Sequence, residues 1–259
     1  MPTATADGTA IRYEVGGRED RPAIGFLPAV GVGPWLWGWQ APALSSQYRT
    51  VVHARRGTGR SDRVGPYTVD RFAADLDAVL AEAGVDRVHL VAAGLGGTVA
   101  LRYAREYGRA RSVSLFGATP SGDRVAADAL EALHPAHPSR YRASLSLAFS
   151  DRFLAESGVV DDVVAWRRAE DAVGDALAGH RDAVLTARPD ALYEIDIPAL
   201  VCHGVDDPVV PASAGETLAG HLPGGRFEPV DGKRLCFIEH SAAITDAVDG
   251  FIDRHSDDD

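Results

Sequence analysis

The sequence predicts an α/β protein, a mostly parallel sheet covered by helices on both faces with a helical insertion over one end. Three observations predict it. Largely apolar runs at 23–27, 87–92, 112–116 and 199–203 read as strands of a sheet covered on both faces. Helical spacing separates several of them; at 69–83 the apolar residues fall at 69, 72, 73, 76, 79, 80 and 83, one stripe of a helix. From about 120 to 189 no strand pattern occurs, only helical segments, which reads as a cap inserted between strands.

In chain order, the alternating run 10–15 predicts a strand that ends at Gly16 and Gly17. Strand 23–27 runs into the glycine-bearing loop 28–33, followed by Trp35, Trp37 and Trp39 at alternate positions and a short helical stretch to 47. Strand 50–53 leads into the turn Arg55, Arg56, Gly57, Thr58, Gly59, Arg60, Ser61, Asp62. After helix 69–83 come strand 87–92, helix 96–107 and strand 112–116. The insertion carries helical patterns at 124–133, 141–156, 160–172 and 175–187. Strand 199–203, helix 212–222, strand 226–230 and a closing helix 241–255 complete the chain, with Ser241 as the expected N-cap. This organisation assigns 1–119 and 190–259 to a core and 120–189 to a cap, with the terminal 256–259 disordered.

At 259 residues the chain can bury one sizeable core. A net charge of −11 argues against nucleic acid or an anionic membrane as partner. Neither a leader-like N-terminus nor an apolar run of membrane-span length is apparent, so a cytoplasmic protein is expected. The two cysteines, Cys202 and Cys236, read as small buried apolar side chains. Lys233 is the sole lysine and asparagine is absent, the bias of a GC-rich genome.

The organising stretch is 88–101, V-H-L-V-A-A-G-L-G-G-T-V-A-L. It reads as buried strand, tight turn and helix, with Ala92 and Gly96 as small residues flanking Gly94. This resembles the nucleophile elbow of the α/β-hydrolase family. Residues 56–62 are similar to that family's R-G-x-G-x-S-D turn, 204–211 to its G-x-x-D-x-x-V-P segment, and 231–240 to its histidine loop. The resemblance covers about 10–253. It implies the α/β-hydrolase fold, a mostly parallel eight-stranded-type sheet flanked by helices with a helical cap, and makes Asp207 the residue that orients a catalytic histidine.

The departures concern chemistry. Gly94 stands where the family has its nucleophile, and Lys233 or Arg234, depending on alignment, where it has histidine. Loss of either member of such a triad costs on the order of 10⁶ in kcat. What the resemblance leaves is a pair of backbone amides, Val30 and Leu95, placed to hold an oxyanion, with Asp207, Lys233 and Arg234 as candidate catalytic groups. Trp35, Trp37, Arg55, Tyr141 and Trp166 are the candidate substrate contacts, although helical spacing suits core packing equally well for the cap residues. Cys236 with His240 would make a thiol–imidazole pair, and His134 with His137 metal ligands, but packing and a turn explain them better.

The expectation is therefore a cofactor-independent, non-hydrolytic enzyme with no metal. It would act on a bulky aromatic or polyketide-like small molecule by carbon–carbon coupling, Michael-type addition or cyclisation, with the amides holding an enolate or phenolate. The alternative is a ligand-binding protein that has kept the cleft and lost the chemistry; an ordinary esterase or epoxide hydrolase comes third. A monomer and a homodimer are equally compatible with the sequence.

Overall fold

The computed structural model describes residues 1–188 and 191–255. Eight strands form one sheet in the order β1-β2-β4-β3-β5-β6-β7-β8: β1 Thr3–Ala6, β2 Thr9–Gly16, β3 Ala23–Leu27, β4 Arg49–His53, β5 Val88–Ala93, β6 Ala110–Phe116, β7 Ala199–Gly204 and β8 Gly225–Val230. Pairing is antiparallel for β1 with β2 and β2 with β4, and parallel from β4 through β8. This is the α/β-hydrolase arrangement expected.

The largely apolar strands are explained by burial from both sides. Every residue of β3, β5 and β7 is buried, because helices cover both faces and no position on these strands meets water. The helix Val69–Glu82 starts where Thr68 accepts a hydrogen bond from the Arg71 amide at 3.2 Å, satisfying a donor the first turn leaves open.

Three local expectations are corrected. The stretch 141–156 is not one helix but Tyr141–Ser144, a 3-10 turn Leu145–Leu147 and Asp151–Glu156. Serines break it: the Ser144 hydroxyl donates back to the Tyr141 carbonyl, and Ser150 restarts the helix by accepting from the Phe153 amide. Ser241 is the first residue of the last helix, Ser241–Asp253, and its N-cap is His240, with no capping side-chain bond. Strand β1, built from T-A-T-A, gave no apolar signal and was not anticipated. The expected core–cap boundary at 189–190 and the expected disorder at 256–259 lie outside the described residues.

The sheet's connectivity places the site. The chain steps from β3 to β4 in one direction, then returns over β3 to add β5 on its other side. Open parallel sheets bind ligands at such a switch point, beyond the carboxyl ends of the strands. Here β3 and β5 are direct neighbours, with Leu27 opposite Ala92. The loops that follow them, carrying Val30 and Gly94, are therefore brought side by side. Among the described residues, no helix is long and apolar enough to cross a membrane.

Candidate active site

The elbow between β5 and the helix Leu95–Glu106 turns at Gly94, with φ 51° and ψ −116°. A side chain at this backbone setting is strained, and glycine adopts it freely. A second glycine is needed for proximity: a Cβ on Gly96 would lie 2.4 Å from the Leu27 carbonyl oxygen, so the helix seats against β3 only without one. As the first residue of the helix, Leu95 has an amide with no intrahelical acceptor. Among the described residues neither that amide nor the Val30 amide has a protein partner.

Arg234, not Lys233, takes the place opposite Asp207. Its Nη1 donates to Asp207 Oδ2 at 2.7 Å and to the Gly117 carbonyl at 2.7 Å. Asp207 is held on its other oxygen by the Val209 and Val210 amides at 2.8 and 3.2 Å, and His203 Nε2 lies 3.3 Å from Oδ2. Burial pushes the Asp207 carboxyl up, but Arg234, together with His203, outweighs it and leaves the group below its ordinary value. Arg234 is only 7% exposed. Its Nη2 sits 2.5 Å from where a Cβ on Gly94 would be, and among the described residues the protein offers Nη2 no acceptor. The guanidinium fills the space a nucleophile would need.

Lys233 turns outward. Its ammonium donates to the Ser146 carbonyl at 2.8 Å and lies 3.6 Å from Asp151, so it joins the cap surface rather than the cleft.

Above the elbow the cap closes a narrow cavity of about 20 Å³ lined by Ala29, Val30, Val32, Trp35, Leu130, Leu133, His134, Leu145, Ala148, Arg167, Arg234 and Leu235, room for about one water molecule. Of the five expected substrate contacts, only Trp35 reaches it. Trp37 is buried beneath it against Phe26, Phe116 and Phe237. Arg55 is buried and donates to the Ala29 and Pro28 carbonyls, so it braces the loop bearing Val30 from behind. Tyr141 packs under Arg167, whose guanidinium carbon is 4.6 Å from its ring centre. Trp166 lies on the outer side, stacked on Trp35 and edge-on to Trp39. Alternate spacing carried no information on which tryptophan would face the cleft, since the segment is a 3-10 turn, Pro34–Trp37.

His134 and Arg167 line the cavity and were not anticipated as site residues. Arg167 Nε donates to Asp171 at 2.9 Å, Nη1 to the Ser144 hydroxyl at 2.8 Å and Nη2 to the Leu133 carbonyl at 3.0 Å. The signal for it was present, an i,i+4 Arg–Asp pair inside R-R-A-E-D, but such pairs ordinarily sit on solvated faces. Asp171 also accepts from the Gly33 amide at 3.1 Å and from Trp35 Nε1 at 2.8 Å. His180 links the same elements: its Nδ1 accepts from the Gly31 amide at 3.3 Å and its Nε2 donates to the Arg56 carbonyl at 2.9 Å. The cap thus grips the loop that carries Val30.

Cys236 is buried, and burial first, then the Asp207 charge, pushes its thiol up to about 12, while His240 is exposed. They form no reactive pair. His137 is exposed and bonds Ser139, apart from buried His134, and the described residues hold no cluster of three metal-ligating side chains.

The profile of the Alpha/beta hydrolase family matches residues 26–247. The chain belongs to that family. It is 28% identical over 250 residues to 3-oxoadipate enol-lactonase 1 of Acinetobacter baylyi, covering 95% of this chain and 94% of that protein. It is 32% identical over 259 residues to a non-heme haloperoxidase of Rhodococcus erythropolis, covering 90% and 92%. Among solved structures, a hydrolase from Pseudomonas aeruginosa PA01 superposes with a TM-score of 0.84 at 28% identity over 97% of each chain.

These relatives overturn the functional expectation. Carbon–carbon coupling or cyclisation of a polyketide-like compound finds no counterpart among them, whereas an enol-lactonase and a hydrolase point to hydrolysis. The expectation reads Gly94 as excluding hydrolysis altogether, whereas a glycine at that position bears only on a covalent route.

Proposed function

We propose that this chain lacks the family's nucleophile and base and hydrolyses small activated acyl compounds, lactones or aryl esters, by direct addition of hydroxide, the cap shifting to admit them because the cavity as it stands has room for about one water. The observation that carries the reading is the Arg234 guanidinium, with Nη2 2.5 Å from the Cβ position of Gly94, beside the Leu95 and Val30 amides. A carbonyl oxygen seated on these donors gains negative charge as hydroxide adds, and fixed donors in a dry cleft stabilise that charge strongly. The tetrahedral species collapses by breaking the bond to the ring or aryl oxygen, which leaves as an enolate or phenolate and takes its proton from water.

The supporting chemistry is electrostatic. Asp207 is locked by Arg234 and two amides and held below its ordinary value, so it does not serve as base. His134 is fully buried and held well below its ordinary value, first by burial and then by Arg167, Arg181 and Arg234, so it stays neutral and weakly basic. The attacking species is therefore hydroxide from solution, attracted by the arginines. Donors and binding alone sustain roughly 10³–10⁴-fold acceleration over water in triad enzymes stripped of their side chains, and that range is the expected ceiling.

The test is hydrolysis of phenyl acetate and of a small enol-lactone against buffer. The expected result is an acceleration within about 10³–10⁴-fold, rising tenfold per pH unit and falling at least about tenfold in Arg234→Gln. A plateau in the pH profile near neutrality would reveal a titrating base and refute this route; no rate above buffer would refute hydrolysis itself.

A further inference from the structure

We propose that a second cavity, between the helix that follows the elbow and the cap, binds a small uncharged molecule with an apolar body and one hydroxyl, and that filling it holds the cap against the core. This cavity measures about 250 Å³, against about 20 Å³ over the elbow. An apolar cavity of about 150 Å³ is enough to take up benzene. One wall is a single face of the helix Leu95–Glu106, with Thr98, Leu101, Arg102 and Arg105 at the i, i+3, i+4, i+7 spacing of a helical stripe. The other wall comes from Asp182 and Ala183 of the cap helix Gly174–Leu185 and from Thr186 just beyond it. Leu192 and Ile195 complete the interior.

The lining selects the ligand. Leu101, Ala183, Leu192 and Ile195 are buried and apolar, and Thr98 among them is 4% exposed. Among the described residues the Thr98 hydroxyl has no partner, whereas Thr186 turns its hydroxyl back to the Asp182 carbonyl at 2.7 Å. A hydroxyl enclosed by apolar side chains gains most from a ligand that brings it a matching polar group. The charges around the cavity do not select an ion. Arg102 is bonded to Asp70 at 2.7 Å and to Glu106 at 2.8 Å, and Arg105 to Glu194 at 3.0 Å. Arg188 and Asp182 add opposite charges at the exposed rim. The link to the cap runs through one helix, because His180, which holds the Gly31 amide at 3.3 Å and the Arg56 carbonyl at 2.9 Å, precedes Asp182 on it. A molecule that touches both walls binds only while they stay together, so it stabilises that arrangement by mass action.

The experiment is an NMR titration of the full chain with phenol and, for comparison, benzoate, repeated on Thr98→Val and Thr186→Trp. Thr186 is exposed, so a tryptophan there fills the mouth of the cavity without entering the core. The expected result is saturable phenol binding that shifts the amides of 98–105 and 182–187, at least about tenfold tighter than benzoate. Thr98→Val should weaken phenol at least about threefold, and Thr186→Trp should abolish its binding. Hydrogen exchange of the Gly31 amide should slow as phenol saturates. Absence of saturation, shifts confined to other residues, or benzoate binding as tightly as phenol overturns the site. Undiminished binding in Thr186→Trp does the same, and it decides the matter if Thr98→Val does not fold. Binding without slower Gly31 exchange overturns the hold on the cap. Neither readout needs turnover, so this inference stands or falls separately from the proposed hydrolysis.

Discussion

Two buried arginine–aspartate pairs in this molecule differ in what they leave over. In the turn after β4, Arg56 grips Asp75 with two bonds of 2.6 Å, Nε to Oδ2 and Nη2 to Oδ1, and spends Nη1 on the Val64 carbonyl at 3.1 Å. All three nitrogens are occupied, and both side chains are 1% exposed. Arg234 instead makes both of its bonds through Nη1 and directs Nη2 over the elbow. The first pair is closed and can only support the fold. The second is open on one side, and its remaining donors face the cavity. A buried ion pair is weak grounds for stability, so the informative property is which donors it does not use.

Arg56→Met leaves the Asp75 carboxylate buried without a partner and is expected to cost about 3–5 kcal/mol, read from the urea midpoint. Arg234→Gln is expected to cost less, about 1–3 kcal/mol, because Asp207 keeps the Val209 and Val210 amides. Equal losses in the two variants would erase the distinction between closed and open.

Acid sensitivity is set by buried histidines that are neutral in the fold. Burial first, then the Arg55 charge, lowers His180 from 6.5 to about 3. In the unfolded chain the imidazole returns to its ordinary value, so below that pH the unfolded state binds the extra proton. Stability is therefore fully present above about pH 6.5 and declines as pH falls toward 3, by up to about 1.4 kcal/mol per pH unit for this residue. His53, lowered to about 3 by burial, acts in the same direction. His180→Phe should flatten this acid limb in pH-dependent denaturation, while lowering stability at neutral pH through loss of the Gly31 and Arg56 bonds. An unchanged slope would contradict the assignment.

The smallest effect is expected one residue from the open pair. Lys233→Met removes a partly exposed ammonium bonded to Ser146 and near Asp151, so stability and ester turnover should change by no more than about 0.5 kcal/mol. A loss comparable with that of Arg234→Gln would restore Lys233 to the site.

Much of the fold was legible because burial on both faces writes itself into the sequence. The run Ala23–Leu27 matches β3 residue for residue, and the 69–83 stripe differs from its helix by one terminal position. The backbone half of the site was legible for the same reason: glycine at 94 and 96 declares a turn that no other residue enters so easily. The side-chain half was less so. Sequence spacing allowed Lys233 and Arg234 equally, and only the turn's path, which points one inward and the next outward, separates them. Arg167 and His134 come from the cap, whose serine-broken helices carry no periodic signal of their orientation. Three tryptophans at alternate positions do not show which one lines the cavity, because the segment that carries Trp35 and Trp37 is a 3-10 turn.

On the proposed function, the arginine over Gly94 replaces covalent attack by direct addition. The most direct measurement is the intact mass of the protein during turnover of phenyl acetate, for the wild-type chain and for Gly94→Ser combined with Arg234→His. The expected result is no acyl adduct on the wild-type chain at any time, with product forming without a burst, and an acetyl adduct on the double variant. An acetyl adduct on the wild-type chain would contradict it.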